Sequence, residues 1–132
     1  MQKDFILITL ADDDEDDRMF FTEAFDELKI NTVVNTVNDG VALMEFLNAP
    51  ESILPNIIFL DLNMPVMGGW EFLDHFTSSA YSDFNTAKVI VLSSTIDPHD
   101  LAKAKKYPII IDFLSKPITK PMLEYLKKKI EL

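Results

Sequence analysis

Five short apolar runs, each followed by polar punctuation and then an amphipathic stretch, constrain this chain more than any other feature. They are Phe5–Ala11 (FILITLA), Val33–Val37 (VVNTV), Ile57–Leu60 (IIFL), Lys88–Ser93 (KVIVLS) and Ile109–Leu114 (IIIDFL). Runs this short, β-branched and bounded by turn residues read as strands, and the continuous ones as strands buried on both faces. The stretches between them carry helical periodicity. Arg18–Lys29 places Phe20, Phe21, Ala24, Phe25 and Leu28 on one face, and Val41–Asn48 does the same with Leu43, Phe46 and Leu47. Trp70–Phe76, Pro98–Lys106 and a last helix with Met122, Leu126 and Ile130 complete the series. Strands alternating with helices are βαβ units, and right-handed crossovers then cover both faces of a parallel sheet. The expected fold is α/β: a doubly wound, five-stranded parallel sheet with helices on both faces.

The punctuation agrees. Asp14 is placed to cap the first helix, with Glu15, Asp16 and Asp17 in its first turn, where the helix dipole favours negative charge. Asn38-Asp39-Gly40 is a turn, Asn48–Asn56 a loop containing Pro50 and Pro55, and Ser78–Thr86 a polar connection. Asp97 caps and Pro98 opens the fourth helix, and Thr119 caps the fifth. No linker or low-complexity tract interrupts the chain, so residues 1–132 are expected to form a single domain.

Charge and composition exclude several functions. The net charge of −10 argues against binding nucleic acid through the bulk surface. With no cysteine there is no disulfide, thiolate metal site or thiol nucleophile. The first apolar run is too short, and too closely followed by acids, for a signal peptide, and no stretch reaches membrane-spanning length. A cytoplasmic protein without membrane contact is expected. With no further domain after Leu132, the expected output is a protein contact or a phosphate relay.

In a parallel sheet all carboxyl ends share one edge, where open α/β sheets place their chemistry. Asp12-Asp13 follow the first strand, Asp61 the third, Ser93 the fourth and Lys116 the fifth. Three carboxylates, a hydroxyl and an ammonium therefore converge. A carboxylate pair ~4 Å apart costs about 4 kcal/mol at an effective dielectric of 20, so a cation must offset it. Lys116 supplies one charge, and an all-oxygen ligand set suits Mg²⁺. A carboxylate beside Mg²⁺ and a lysine is equipped to attack phosphorus. Each residue alone has an ordinary reading: solvated turn acids, a surface lysine, a strand-end hydroxyl. Ser94 and Thr95 read as loop residues, with Ser94 near the site. His75 and His99 read as surface residues, Trp70 as partly exposed and Phe113 by default as core.

The acidic pair Asp12-Asp13, the segment LDLNMPVMGG around Asp61, VLSS and FLSKP, in this order on five alternating units, resemble the receiver domain of bacterial two-component response regulators, of the stand-alone chemotaxis type. The resemblance spans about Asp4 to Lys129. It implies the flavodoxin-like strand order 2-1-3-4-5. It implies Asp61 as phosphoacceptor and Mg²⁺ held by Asp13 directly, Asp12 through water, Asp61 and the Asn63 carbonyl. It also implies Ser93 as switch hydroxyl, Phe113 as switch aromatic, and Lys116 pairing with the phosphoryl group before a cis Lys116-Pro117 bond. Serine replaces the commoner threonine and phenylalanine the commoner tyrosine at the two switch positions. The implied function is a phosphorylation-dependent switch rather than a turnover enzyme. A histidine kinase or phosphotransfer protein is the implied donor, a protein the downstream target, and the α4-β5-α5 surface the part that changes. Two alternatives are a Mg²⁺-dependent phosphatase with an aspartyl-phosphate intermediate and a receiver-like module that binds without phosphorylation. Against the first, Asn63 stands where haloacid-dehalogenase-type phosphatases carry a second aspartate.

Overall fold

A computed structural model describes residues 5–28, 31–49, 54–78 and 87–129. Strands β1 (Ile6–Ala11), β2 (Thr32–Val37), β3 (Ile57–Asp61), β4 (Lys88–Ser93) and β5 (Ile110–Ser115) alternate with helices. These are α1 (Glu15–Leu28), α2 (Gly40–Asn48), α3 (Gly69–Phe76), α4 (Pro98–Ala104) and α5 (Lys120–Lys129). All pairings are parallel and the order is β2-β1-β3-β4-β5, as the alternation and the resemblance implied.

The two-residue period of the strands divides the core into two layers. On one side Ile8, Leu10, Ile57, Phe59, Ile90 and Leu92 pack against α1 and α5. The intervening residues Ala11, Ile58, Leu60, Val89 and Val91 pack against α2 and α3 on the other. Phe21 and Phe25 of α1 stand edge-on to Phe59, with centroids 4.9 and 5.9 Å away. Phe72 and Phe76 stack on each other in the opposite layer. Asn56 ties three strand starts together: its side-chain oxygen accepts from the Leu7 amide at 2.9 Å, and its carbonyl from Lys88 at 3.0 Å.

Thr9 is fully buried, and its hydroxyl has no hydrogen-bond partner among the described residues. Thr9→Val keeps the shape and removes the unsatisfied group, so it is expected to stabilise the fold by about 1 kcal/mol. A urea midpoint unchanged or lowered by the substitution would contradict this.

Several local expectations change. Asp39 is the N-cap of α2 rather than a plain turn residue, its carboxylate accepting from the Ala42 amide at 2.7 Å. The regular α4 stops at Ala104 instead of Lys106. The buried face of α5 is Leu123 and Leu126, with Met122 half-buried. Four residues overshoot one helical turn by ~40° and three fall short by ~60°, so a strict fourfold repeat drifts off any single face and only mixed three- and four-residue steps hold one. Ile130 and most of the 78–86 connection lie outside the described residues.

Helix α4 is fastened to α3 by Trp70. The indole Nε1 donates to Asp100 at 3.3 Å, and the ring stacks on Tyr107 at 5.6 Å. The Lys103 ammonium lies 4.8 Å above the indole. Tyr107 in turn donates its hydroxyl to Asp74 at 2.6 Å, and burial together with that carboxylate pushes the phenol up to about 12. Trp70 is therefore half-buried, as its sequence position suggested.

Candidate functional site

The strand ends meet as the parallel sheet requires. Strand parity also decides the side on which each residue emerges. Asp12 continues the Ile8-Leu10 series and Asp61 the Ile57-Phe59 series, so both emerge toward α1 and α5. Ser93 continues Val89-Val91 and emerges on the opposite side. Two local devices bring β3 to the mouth. The Asp61 carboxylate accepts from the Asn63 amide at 3.1 Å, turning the chain at once. Gly69 then lets α3 start against that turn: a Cβ there would lie 2.9 Å from the Asp61 carbonyl oxygen. Between them Val66 is 83% exposed and held at φ 66, a left-handed conformation strained for a β-branched residue.

Lys116 is the hub. Its ammonium lies 2.8 Å from Asp12 Oδ2, 3.2 Å from Asp61 Oδ2 and 3.2 Å from Asp17 Oδ2. Asp12 and Asp61 are almost wholly buried, at 1% and 3% exposure, whereas Asp13 is exposed. The other Asp12 oxygen accepts from the Asp14 amide at 2.9 Å, and the Arg18 guanidinium donates to the Asp12 carbonyl at 2.8 Å. The Lys116-Pro117 bond is cis, as the resemblance implied.

Burial dominates the electrostatics. It pushes the Asp61 carboxyl up to about 6, against the opposing pull of the Asn63 amide and Lys116; the Asp12 charge adds to the rise. Burial raises Asp12 too, despite its bonds to Lys116 and the Asp14 amide. Burial alone would lower the Lys116 ammonium, but its hydrogen bond to Asp12 and the charges of Asp61 and Asp12 outweigh this and hold it above the usual lysine range.

One carboxylate oxygen from each of Asp12, Asp13 and Asp61 lies within 4.8 Å of the other two. An all-oxygen set carrying three negative charges fits a hard divalent cation such as Mg²⁺. The exposed Asp13 faces an open basin lined also by Asp17, Asp61, Asn63, Ser94 and Lys116, which leaves room for water ligands.

Ser93 has the backbone partner ordinary for a strand-end hydroxyl, and Asp17 departs from expectation. Ser93 is buried, and its hydroxyl is turned into its own loop: it donates to the Thr95 carbonyl and accepts from the Thr95 amide at 3.3 Å. Asp17, whose place in the first helical turn looked sufficient explanation, reaches Lys116. No local sequence signal marks it, because its partner lies 99 residues away along the chain. Phe113 is half-buried against the α2–α3 layer, beside a groove between α4 and β5 lined by Leu101, Lys105 and Asp112. His75 and His99 are exposed.

The family model for the response regulator receiver domain matches residues 8–128. The chain belongs to the response regulator receiver family. A two-component response regulator from Cytophaga hutchinsonii is 31% identical, with 98% of each chain covered and a TM-score of 0.84. The phosphorylated cyanobacterial phytochrome response regulator RcpA is 26% identical over 96% of this chain and 91% of that one, with a TM-score of 0.76. The probable methanogenesis regulatory protein FilR2 of Methanothrix harundinacea is 27% identical over 98% of this chain and 81% of that protein. Receivers are two-component signalling domains that interact with phosphodonors and downstream targets, and the family typically binds Mg²⁺ at acidic residues. Among the described residues no helix is long and apolar enough to cross a membrane.

Proposed function

We propose that this receiver domain is a cytoplasmic switch in which Asp61 accepts a phosphoryl group from a histidine kinase or phosphotransfer protein. The observation that carries the reading is the Lys116 ammonium bridging Asp12 and Asp61 at the carboxyl edge of the sheet. In the transfer, a carboxylate oxygen of Asp61 forms a bond to phosphorus in line with the breaking phosphorus–nitrogen bond, whose electron pair leaves with the imidazole. Lys116 turns a donor from the Asp61 carboxylate to the phosphoryl oxygens, where negative charge is concentrated. Asp13, Asp12, Asp61 and the Asn63 carbonyl would hold Mg²⁺, which when bound neutralises charge on the phosphoryl oxygens. Ser93 exchanges its bond to Thr95 for one to the phosphoryl group, drawing the 94–97 loop inward. Phe113 repacks as that loop moves, and the α4-β5-α5 surface changes with it, a shift between two populations. Because these groups belong to the receiver, it assists its own phosphorylation and dephosphorylation without being a turnover enzyme.

Acetyl phosphate with Mg²⁺ should add one acid-stable, base-labile phosphoryl group per chain. Absence of such a group under conditions that phosphorylate another receiver would overturn the reading.

The partner face has a charge of its own. From Asp100 onward eight lysines stand against four acidic residues, a net of +4 in a chain of −10. Lys103 is engaged over Trp70 and Lys129 with Asp112, while Lys105 and Lys106 are exposed. An acidic partner patch would be steered there, and added salt would slow association. Changing Lys103, Lys105 and Lys106 to Glu should reduce the association rate at low salt, while Asp61 is still phosphorylated. An unchanged rate with the cognate partner would exclude this face.

A further inference from the structure

We propose that Asp17 is a positioning residue for Lys116, aiming the ammonium at the phosphoryl group; the inference rests on Asp61 being the phosphoacceptor. An ammonium has three donors. In this site three carboxylates surround it, Asp12 from the loop after β1 at 2.8 Å, and Asp17 of α1 and Asp61 of β3 each at 3.2 Å. Two acceptors leave the nitrogen free to move along an arc about the line joining them, and a third acceptor from another direction removes that freedom. Asp12 and Asp61 both stand at the edge of the sheet, and Asp17 approaches from α1.

Asp17 is itself well placed to act as a fixed point. Its amide donates to Asp14 at 3.0 Å, anchoring the first turn of the helix. Phe21 and Phe25 fasten α1 onto Phe59, two residues before Asp61 on the same strand. The position of Asp17 relative to Asp61 is therefore set by packed aromatic rings. The Asp17 carboxylate is also one-third exposed, so its ion pair adds little to stability. Its value lies in geometry. When phosphorylation begins, Lys116 must redirect one donor from Asp61 to the phosphoryl oxygens while its other two bonds hold the nitrogen in place. Misplacement of a charge-stabilising group by ~1 Å can cost about 100-fold in rate.

With acetyl phosphate the bonds balance simply. The phosphorus–oxygen bond to acetate breaks, its electron pair leaving with the acetate, as an Asp61 oxygen bonds to phosphorus. The test measures this rate with Mg²⁺ in the native sequence, Asp17→Ala and Asp17→Asn, with Lys116→Ala as reference. Asp17→Ala is expected to be roughly tenfold slower, between the native rate and that of Lys116→Ala. Asp17→Asn, whose amide oxygen still accepts the hydrogen bond without a charge, should recover most of the rate. The Lys116 ammonium protons supply a second readout. They should be protected from solvent exchange in the native protein and Asp17→Asn, and exposed to it in Asp17→Ala. A native rate in Asp17→Ala, equal slowing in both variants, or acceleration in both would overturn the proposal. Failure of the native sequence to label at Asp61 would remove the phosphoacceptor reading and this inference together, whereas native labelling with an unaffected Asp17→Ala would remove only the inference.

Discussion

Asp61→Asn is expected to abolish phosphoryl incorporation from acetyl phosphate and Mg²⁺. The carboxylate lies at the end of a strand buried along its whole length, 3.2 Å from the only ammonium that the described residues place within ion-pair distance of it. An amide in its place keeps the volume and the hydrogen bond from the Asn63 amide, but its nitrogen and oxygen are too weakly nucleophilic to attack phosphorus. Removing the Lys116 cation should slow the same step by ~10²–10³, the cost of losing one donor to developing charge. The measurement is base-labile phosphate followed over time by intact mass. Undiminished labelling of Asp61→Asn would place the acceptor elsewhere.

The same substitution is expected to make the protein more stable in chelator at neutral pH. Burial raises the Asp61 carboxyl from 3.8 to about 6, so the folded state holds this proton more tightly than the unfolded chain does. The stability contributed by the protonated group is complete below about pH 4 and is lost as pH rises through about 6. Above that, the ionised carboxylate costs the fold on the order of 3 kcal/mol. Asp61→Asn removes that cost, so its melting temperature should exceed the native one by several degrees at pH 7.5, with the difference shrinking toward pH 4. Asp13→Asn should gain less in chelator, because Asp13 is exposed. It should nevertheless lose most of the stabilisation that Mg²⁺ gives the native protein by ordinary binding linkage. Thermal melts across pH, with and without Mg²⁺, check both statements. An Asp61→Asn variant that melts below the native protein at pH 7.5 would show that the Lys116 pair outweighs the burial of the charge. An Asp13→Asn variant with a full Mg²⁺ response would remove Asp13 from the ligand set.

What the sequence by itself determined here is what periodicity and punctuation can carry. The short apolar runs of the strands and the helical period between them specify five βα units. A parallel sheet then brings Asp12, Asp13, Asp61, Ser93 and Lys116 to one edge whatever the strand order. The motif resemblance supplied that order, β2-β1-β3-β4-β5. Even the division of the site was open to a reader of the sequence, since Asp61 shares parity with Phe59, and Ser93 with Val91. The tertiary structure decided what depends on the rotation and docking of whole elements. Leu123 rather than Met122 faces the core because α5 settles on the sheet with that face inward. Gly69 is required because α3 starts against the backbone of the turn after β3. Ser93 bonds Thr95 because the 94–97 loop folds back on its own strand end. Asp17 meets Lys116 across 99 residues of sequence because α1 is fixed over β3 by three aromatic rings. No local pattern encodes that contact. The same run of acids that suits a helix N-terminus contains the one carboxylate whose partner only the packed sheet supplies.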